Sequence, residues 1–290
     1  MNSFSRISFM LFGEFANSLL DFFPELKTDL KKARLQYSPN EYISLAILTS
    51  FIVFLLEIPP LAFIFGFVFK SFLFSYVFAI TTSIVLALLF FYFFLKYPRI
   101  IISEREKNID KALPFALIHL LSISKSKMPF HKVLEIFSKV TSYKELSKEV
   151  DGILRDINTF GLDIVSALER ASERSPSKKL KEIWWGIISA IKSGTDVSSF
   201  LKEKSYSLLN EYRRKVYEFA HNLSIYLEVY LTAIILGIIF FIVLTTVMSG
   251  IAQSAENIVV LQFLLVVGAL PLISIAFLIL VKAATPGEEM

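Results

Sequence analysis

Apolar residues crowd into two dense blocks, and between them they recur only every third or fourth position. The blocks run from Tyr42 to Leu95 and from Leu223 to Val281. Each is long enough to cross a bilayer twice at about 20 residues per crossing. Glu57-Ile-Pro-Pro60 and then Lys70 interrupt the first block. Two prolines and a charge predict a turn at the far interface instead of one unbroken helix. The expected spans are Tyr42 to Leu56 and Ser71 to Leu95, with apolar Leu61 to Phe69 free to extend either. The second block splits at Met248-Ser-Gly-Ile-Ala-Gln-Ser-Ala-Glu-Asn257, giving spans of Ile225 to Val247 and Ile258 to Val281.

The stretch between the blocks carries single apolar stripes at helical spacing. Phe130, Val133, Leu134, Phe137 and Val140 form one, and Val150, Ile153, Leu154, Ile157 and Phe160 a second. Leu180, Ile183, Trp184, Ile187, Ile188 and Ile191 form a third. Each stripe predicts a helix that buries one face, and no strand-like alternation competes. Gly161-Leu-Asp163 returns 33 residues later as Gly194-Thr-Asp196. In both, glycine suits a left-handed helix end and aspartate two residues on suits the cap of the next helix. A fainter copy starts at Lys127, with Pro129 in place of the cap. Three such helix pairs predict a six-helix bundle. Its last helix, Val197 to Asn222, is expected to run on into the third span as one rod. The fold class is therefore all-α, a membrane protein with four transmembrane helices in two hairpins around one helical domain.

Upstream of the first block, Phe4, Ile7, Leu11, Phe15, Leu19 and Phe22 predict an amphipathic helix lying on the membrane or on the cytosolic domain. No long apolar run and no small-residue cleavage site occur in the first 24 residues, so no signal peptide is expected. The expected organisation is an N-terminal segment (1–41), hairpin one (42–95), a cytoplasmic helical domain (96–222), hairpin two (223–282) and a tail (283–290).

Charge sets the orientation. Hydrophobic residues make up 54% of the chain and charged residues 19%, against about 25% charged in soluble domains. Segment 97–222 holds 22 Lys and Arg against 16 Asp and Glu, the first 41 residues hold five Lys and Arg, and the hairpin turns hold only Lys70. Positive charge stays inside during insertion, so both termini and the central domain are expected to face the cytoplasm of an inner-membrane protein.

Candidate chemistry is sparse. The chain has no cysteine, which removes disulfides, thiolate metal sites and a thiol nucleophile. His119, His131 and His221 are scattered on separate helical stretches, so no metal site is expected. None of the ten glycines precedes a lysine, so there is no nucleotide-binding P-loop. Gly-x-Gly-x-x-Gly, His-Glu-x-x-His and Gly-x-Ser-x-Gly are also missing. No enzyme activity and no cofactor are expected, and energy for any work must come from a partner or a gradient. Within the spans, Glu57 and Glu228 are the charges to weigh: Glu228 is an intramembrane candidate for a subunit or proton contact, against a plain interfacial role. Lys178, Lys179 and Lys181 are either a docking surface for a protein partner or a solvated face. Arg213, Arg214 and Lys215 lie where anionic lipid headgroups would meet them.

Several short motifs together resemble the type II secretion system F-domain family, in particular the archaeal platform proteins of archaella and type IV-like pili. They are Ser38-Pro-Asn-Glu-Tyr42, Tyr97-Pro-Arg99, Ile109-Asp-Lys-Ala-Leu-Pro114, Leu146-Ser-Lys-Glu149, Gly161-Leu-Asp163, Ala167-Leu168, Ser175-Pro-Ser177 and Ser193-Gly-Thr-Asp196. The resemblance implies a membrane platform of a pilus, archaellum or secretion machine, coupling a cytoplasmic hexameric ATPase to insertion of pilin-like subunits. It also implies pairing with a second copy or a sister platform protein, because many members carry two bundles and this chain has one. Membrane lipids are expected partners, and nucleic acid is not. The competing readings are a transporter or channel with a cytoplasmic regulatory domain, and a membrane-bound enzyme.

Overall fold

A helix closes its backbone hydrogen bonds within itself, which is the condition both for a bundle element and for a chain that crosses lipid. The computed structural model describes residues 3–69, 71–126, 128–252, 260 and 263–284. Among these, every regular element is a helix. Three helical stretches are long and apolar enough to cross a membrane: Pro39–Val68, Phe72–Ser124 and Val197–Val247. The chain divides into two compact units, residues 1–204 and 205–290.

The first unit opens with α1 (Ser3–Leu20) and the short α2 (Leu26–Ala33). Helix α3 (Pro39–Phe69) follows, then α4 (Phe72–Ser124). The expected break at Glu57–Pro60 does not occur, since α3 runs through Pro59 and Pro60. Each proline removes one N–H, but a broken helix in lipid would orphan several groups, so continuing is the cheaper solution. Helices α3 and α4 pack along each other as a hairpin. Ser75, Ala79 and Ser83, one per turn of α4, are buried in it, and small side chains let membrane helices approach closely. Lys70 lies outside the described residues.

Helix α4 has 53 residues, about 80 Å at 1.5 Å per residue. That length far exceeds the roughly 30 Å of bilayer hydrocarbon. Its second half therefore continues into the helical domain, through Pro98 and Pro114. There it meets α5 (Phe130–Ser138), α6 (Lys144–Phe160) and α8 (Lys178–Ser193). Helix α7 (Ile164–Arg174) packs between α6 and α8. The core holds Ile109, Leu113, Val133, Leu134, Phe137, Val150, Ile153, Leu168, Ile183, Trp184 and Ile187, all buried. Phe160 departs from its stripe: it is exposed, with the Arg170 guanidinium 5.8 Å from the ring centre. Phe160 is the last residue of α6, where the helix stops at Gly161.

Helix α9 (Val197–Val229) passes into a π-helical turn (Tyr230–Leu236) and then α10 (Gly237–Ala252). In the second unit, a further π turn (Leu265–Ala269) leads into α11 (Leu270–Ala284). Tyr230 joins these stretches, its hydroxyl 2.7 Å from the Ser274 hydroxyl and its ring stacked on Phe277 at 4.6 Å. The turn expected at Met248–Asn257 falls largely outside the described residues, as do the start of the span from Ile258 and the end of the tail.

Candidate functional site

Proline at 98 leaves the carbonyl four residues earlier without its helical donor. That carbonyl belongs to Phe94, and the Tyr42 hydroxyl donates to it at 2.8 Å. The Tyr42 ring also packs on Phe94 with centroids 5.2 Å apart. So the start of α3 supplies the bond that lets α4 pass through a proline. The entry of α3 is fixed in turn by a capping box: Ser38 N–H donates to the Glu41 carboxylate at 2.9 Å and Glu41 N–H to Ser38 Oγ at 3.2 Å. One turn beyond, Arg99 binds Asp29 at 2.9 Å and Glu25, both on the α2 segment.

Farther down α4, Arg105 is buried among carboxylates. It donates to Glu145 at 2.9 Å and to Glu149 at 2.6 Å, and its third nitrogen bonds the Lys32 carbonyl. Glu145 and Glu149 are four residues apart on α6, hence on one face. Arg34 completes the group, 3.0 Å from Glu149 and donating to the Lys148 carbonyl at 2.6 Å. It ends α2 in a left-handed conformation, φ 57°. Burial pushes the Arg34 guanidinium down from its ordinary value, opposed by Glu149. Burial pushes Glu145 up, yet hydrogen bonds from Lys148 and Arg105 outweigh it and hold the carboxyl below its usual range. A buried ion cluster is costly unless every charge is matched. Here it clamps α2, α4 and α6 in one arrangement.

The repeated Gly-x-Asp segments form two matching corners. Gly161 has φ 68° and Gly194 φ 70°. Asp163 accepts from the N–H groups of Val165 and Ser166 at 3.0 and 3.1 Å, and Asp196 accepts from Ser198 N–H at 3.1 Å. Ser177 caps α8 through Leu180 N–H at 3.0 Å, while its hydroxyl donates to Asp110 of α4. Lys178 and Lys181 are exposed and Lys179 half-buried, all in the first turn and a half of α8. Glu228 is exposed near the end of α9 and Glu57 is half-buried within α3. Among the described residues no group of His, Cys, Asp and Glu is placed to hold a metal ion. His119 instead lies edge-on to Phe137 and Tyr143.

Residues 116–245 match the family model of the type II secretion system (T2SS), protein F. The match covers a little under half of the chain. The match agrees with the resemblance read from the motifs. Uncharacterized protein MJ1286 of Methanocaldococcus jannaschii is 27% identical over 201 residues, 66% of this chain and 33% of that protein. Uncharacterized protein MJ0780 of the same organism is 34% identical over 88 residues, 30% of this chain and 26% of that one. The chain thus spans a third or less of these relatives. No solved structure matches it.

The F-domain match begins within α4 and ends within α10. Three motifs lie ahead of it, and each touches a partner motif or segment: Tyr42 holds the carbonyl freed by Pro98, Arg99 holds α2, and Asp110 takes the Ser177 hydroxyl. The long apolar helices of this chain are in keeping with the match. Sequence reasoning singled out none of Arg34, Arg105 and Glu145 as a site. The one local signal was the Glu145–Glu149 pair at helical spacing; its arginines come from distant segments.

Proposed function

We propose that this chain is the membrane platform of a pilus-, archaellum- or secretion-type assembly machine. The F-domain match carries the reading. In this proposal the chain crosses the inner membrane four times, as two hairpins, with a six-helix bundle and both termini on the cytoplasmic side. A cytoplasmic hexameric ATPase docks on the bundle, and pilin-like subunits meet the spans. A second copy or a sister platform protein supplies a second bundle. Helix α4 is the element best built to transmit displacement, because it leaves the hairpin and enters the bundle as one helix, with the Arg105 cluster holding it to α2 and α6. Deleting the gene abolishes filaments or secretion while pilin-like subunits are still made; normal assembly refutes the proposal.

The lysines at the start of α8 support a docking role. The N-terminal end of a helix carries partial positive charge, so each lysine there costs about 0.3–1 kcal/mol, and no acidic residue offsets it in the first turn. The double variant Lys178→Glu, Lys181→Glu therefore keeps or raises the thermal midpoint, yet it abolishes assembly if an acidic ATPase surface binds here. Unchanged assembly removes these lysines from the docking surface.

A further inference from the structure

Helix α1 does not lie across the hairpin; it stands along it. Asn17 bonds Asn40 at 2.5 Å, near the start of α3, while Phe12 meets Phe51 with ring centroids 6.5 Å apart. Earlier residues of α1 thus pair with later residues of α3, so the two helices are antiparallel. The face of α1 against α3 is made of small residues: Ser5, Ser8 and Ala16 are all buried. Ser8 satisfies its hydroxyl on the Ser5 carbonyl at 2.9 Å, so it needs no water there. Close approach through small side chains is how helices pack inside membranes.

The membrane level can be read from α3 and α4. Tyr42 and Phe94 are joined at one height, with Lys96 and Tyr97 just beyond, the aromatic and basic residues expected at an interface. Counting from Asn17 beside Asn40, the Ser3 end of α1 reaches about 20 Å further along α3 at 1.5 Å per residue. That is past the interface and as far as the middle of a bilayer whose hydrocarbon is about 30 Å thick. The outer face at these depths is large and apolar. Ile7, Leu11 and Phe15 are exposed one per turn, and Met10 is 89% exposed. Phe51 and Leu55, at the matching height on α3, are exposed as well, so this face continues the surface that α3 turns to lipid. Glu14 sits near the Asn17 level at the headgroups. Arg6 is carried deeper, a cost that snorkelling and local thinning reduce.

We infer that α1 is inserted into the cytoplasmic leaflet, standing beside α3, and that its Ile7, Met10, Leu11 and Phe15 face takes phospholipid acyl chains. It enters from the cytoplasmic side and does not cross. The inference rests on the hairpin being in a membrane and not on the platform role, so either can fail without the other.

The absence of cysteine makes the test direct. Single cysteines replace Met10, Ser8 and, as a cytosolic reference, Lys178 in the full chain. Each variant is spin-labelled and reconstituted in vesicles of phosphatidylcholine and phosphatidylglycerol. Oxygen, which partitions into lipid, and a water-soluble nickel chelate report what each label touches. The Met10 label is expected to show a severalfold higher oxygen-to-nickel accessibility ratio than the Lys178 label, and the Ser8 label to be shielded from both. A Met10 label as open to nickel as Lys178 puts the helix in water and overturns the inference. A Met10 label shielded from both reagents puts it against protein and overturns it equally. Met10 touches little, so its replacement leaves the packing intact; a Leu11→Cys variant repeats the measurement on the same face.

Discussion

Replacing Tyr42 by Phe tests the joint that lets α4 leave the hairpin. The substitution keeps the buried ring, its packing on Phe94 and its place beside Tyr37. It removes one hydroxyl, and with it the donor to the Phe94 carbonyl at 2.8 Å. Leaving a buried acceptor without a partner costs about 1–3 kcal/mol. For a unit of 150–250 residues, a loss near 2 kcal/mol lowers the thermal midpoint by about 4–8 °C. The size of the drop alone would not identify the cause. The second variant does: Pro98→Ala restores an N–H four residues after Phe94, and that N–H takes the same carbonyl. In the Pro98→Ala background Tyr42→Phe is therefore expected to cost less than about 0.5 kcal/mol, a coupling of about 1–2 kcal/mol between two residues in contact through one carbonyl. Thermal unfolding of the four purified proteins in one detergent measures it. Equal costs in both backgrounds would refute the argument that tyrosine replaces the bond proline removed.

Arg105→Met strands Glu149 with Arg34 as its remaining partner, so a loss of about 3 kcal/mol is expected from breaking a buried pair; adding Glu149→Met recovers most of it, and additive losses in the cycle would count against the clamp. The pH dependence follows from Glu145, whose carboxyl is held below its usual range in the fold. Its stabilisation is present above the ordinary carboxylate range and is lost as pH falls through the lowered folded value. Glu145→Gln therefore shows a smaller drop in thermal midpoint between neutral and acidic pH than the parent, and parallel curves would refute this. A Cβ added at Gly186 meets the Phe200 ring at 2.0 Å, so Gly186→Ala is expected to cost about 1–3 kcal/mol by overpacking α8 against α9, and Phe200→Leu in the same chain relieves it. If Gly186→Ala unfolds at the parental temperature, the contact has no energetic weight.

Much of the helical domain was readable from spacing. Val133, Leu134, Phe137, Val150, Ile153, Leu180, Ile183, Trp184, Ile187 and Ile188 all sit on stripes visible in the sequence and all are buried. What spacing could not give was the fate of the prolines. Pro59 and Pro60 read as the end of a span, yet both lie inside a helix, as do Pro98 and Pro114. Their tolerance depends on who takes the freed carbonyls, and for Phe94 the donor is 52 residues away. The Arg105 cluster was unreadable for the same reason, since its partners lie 73, 40 and 44 residues away in the chain.

The sequence by itself determined what depends on neighbours within a turn: helical period, the apolar length needed to cross lipid, the glycine corners and the charge bias. Each is set by backbone hydrogen bonds and side-chain faces that close over three or four residues. Tertiary structure alone decided that α1 stands along α3, that α4 runs on into the bundle, and that three arginine and glutamate segments meet in one buried cluster. Those outcomes turn on desolvated polar groups finding partners across long stretches of chain, and a charge or a carbonyl carries no local mark of the group that will satisfy it.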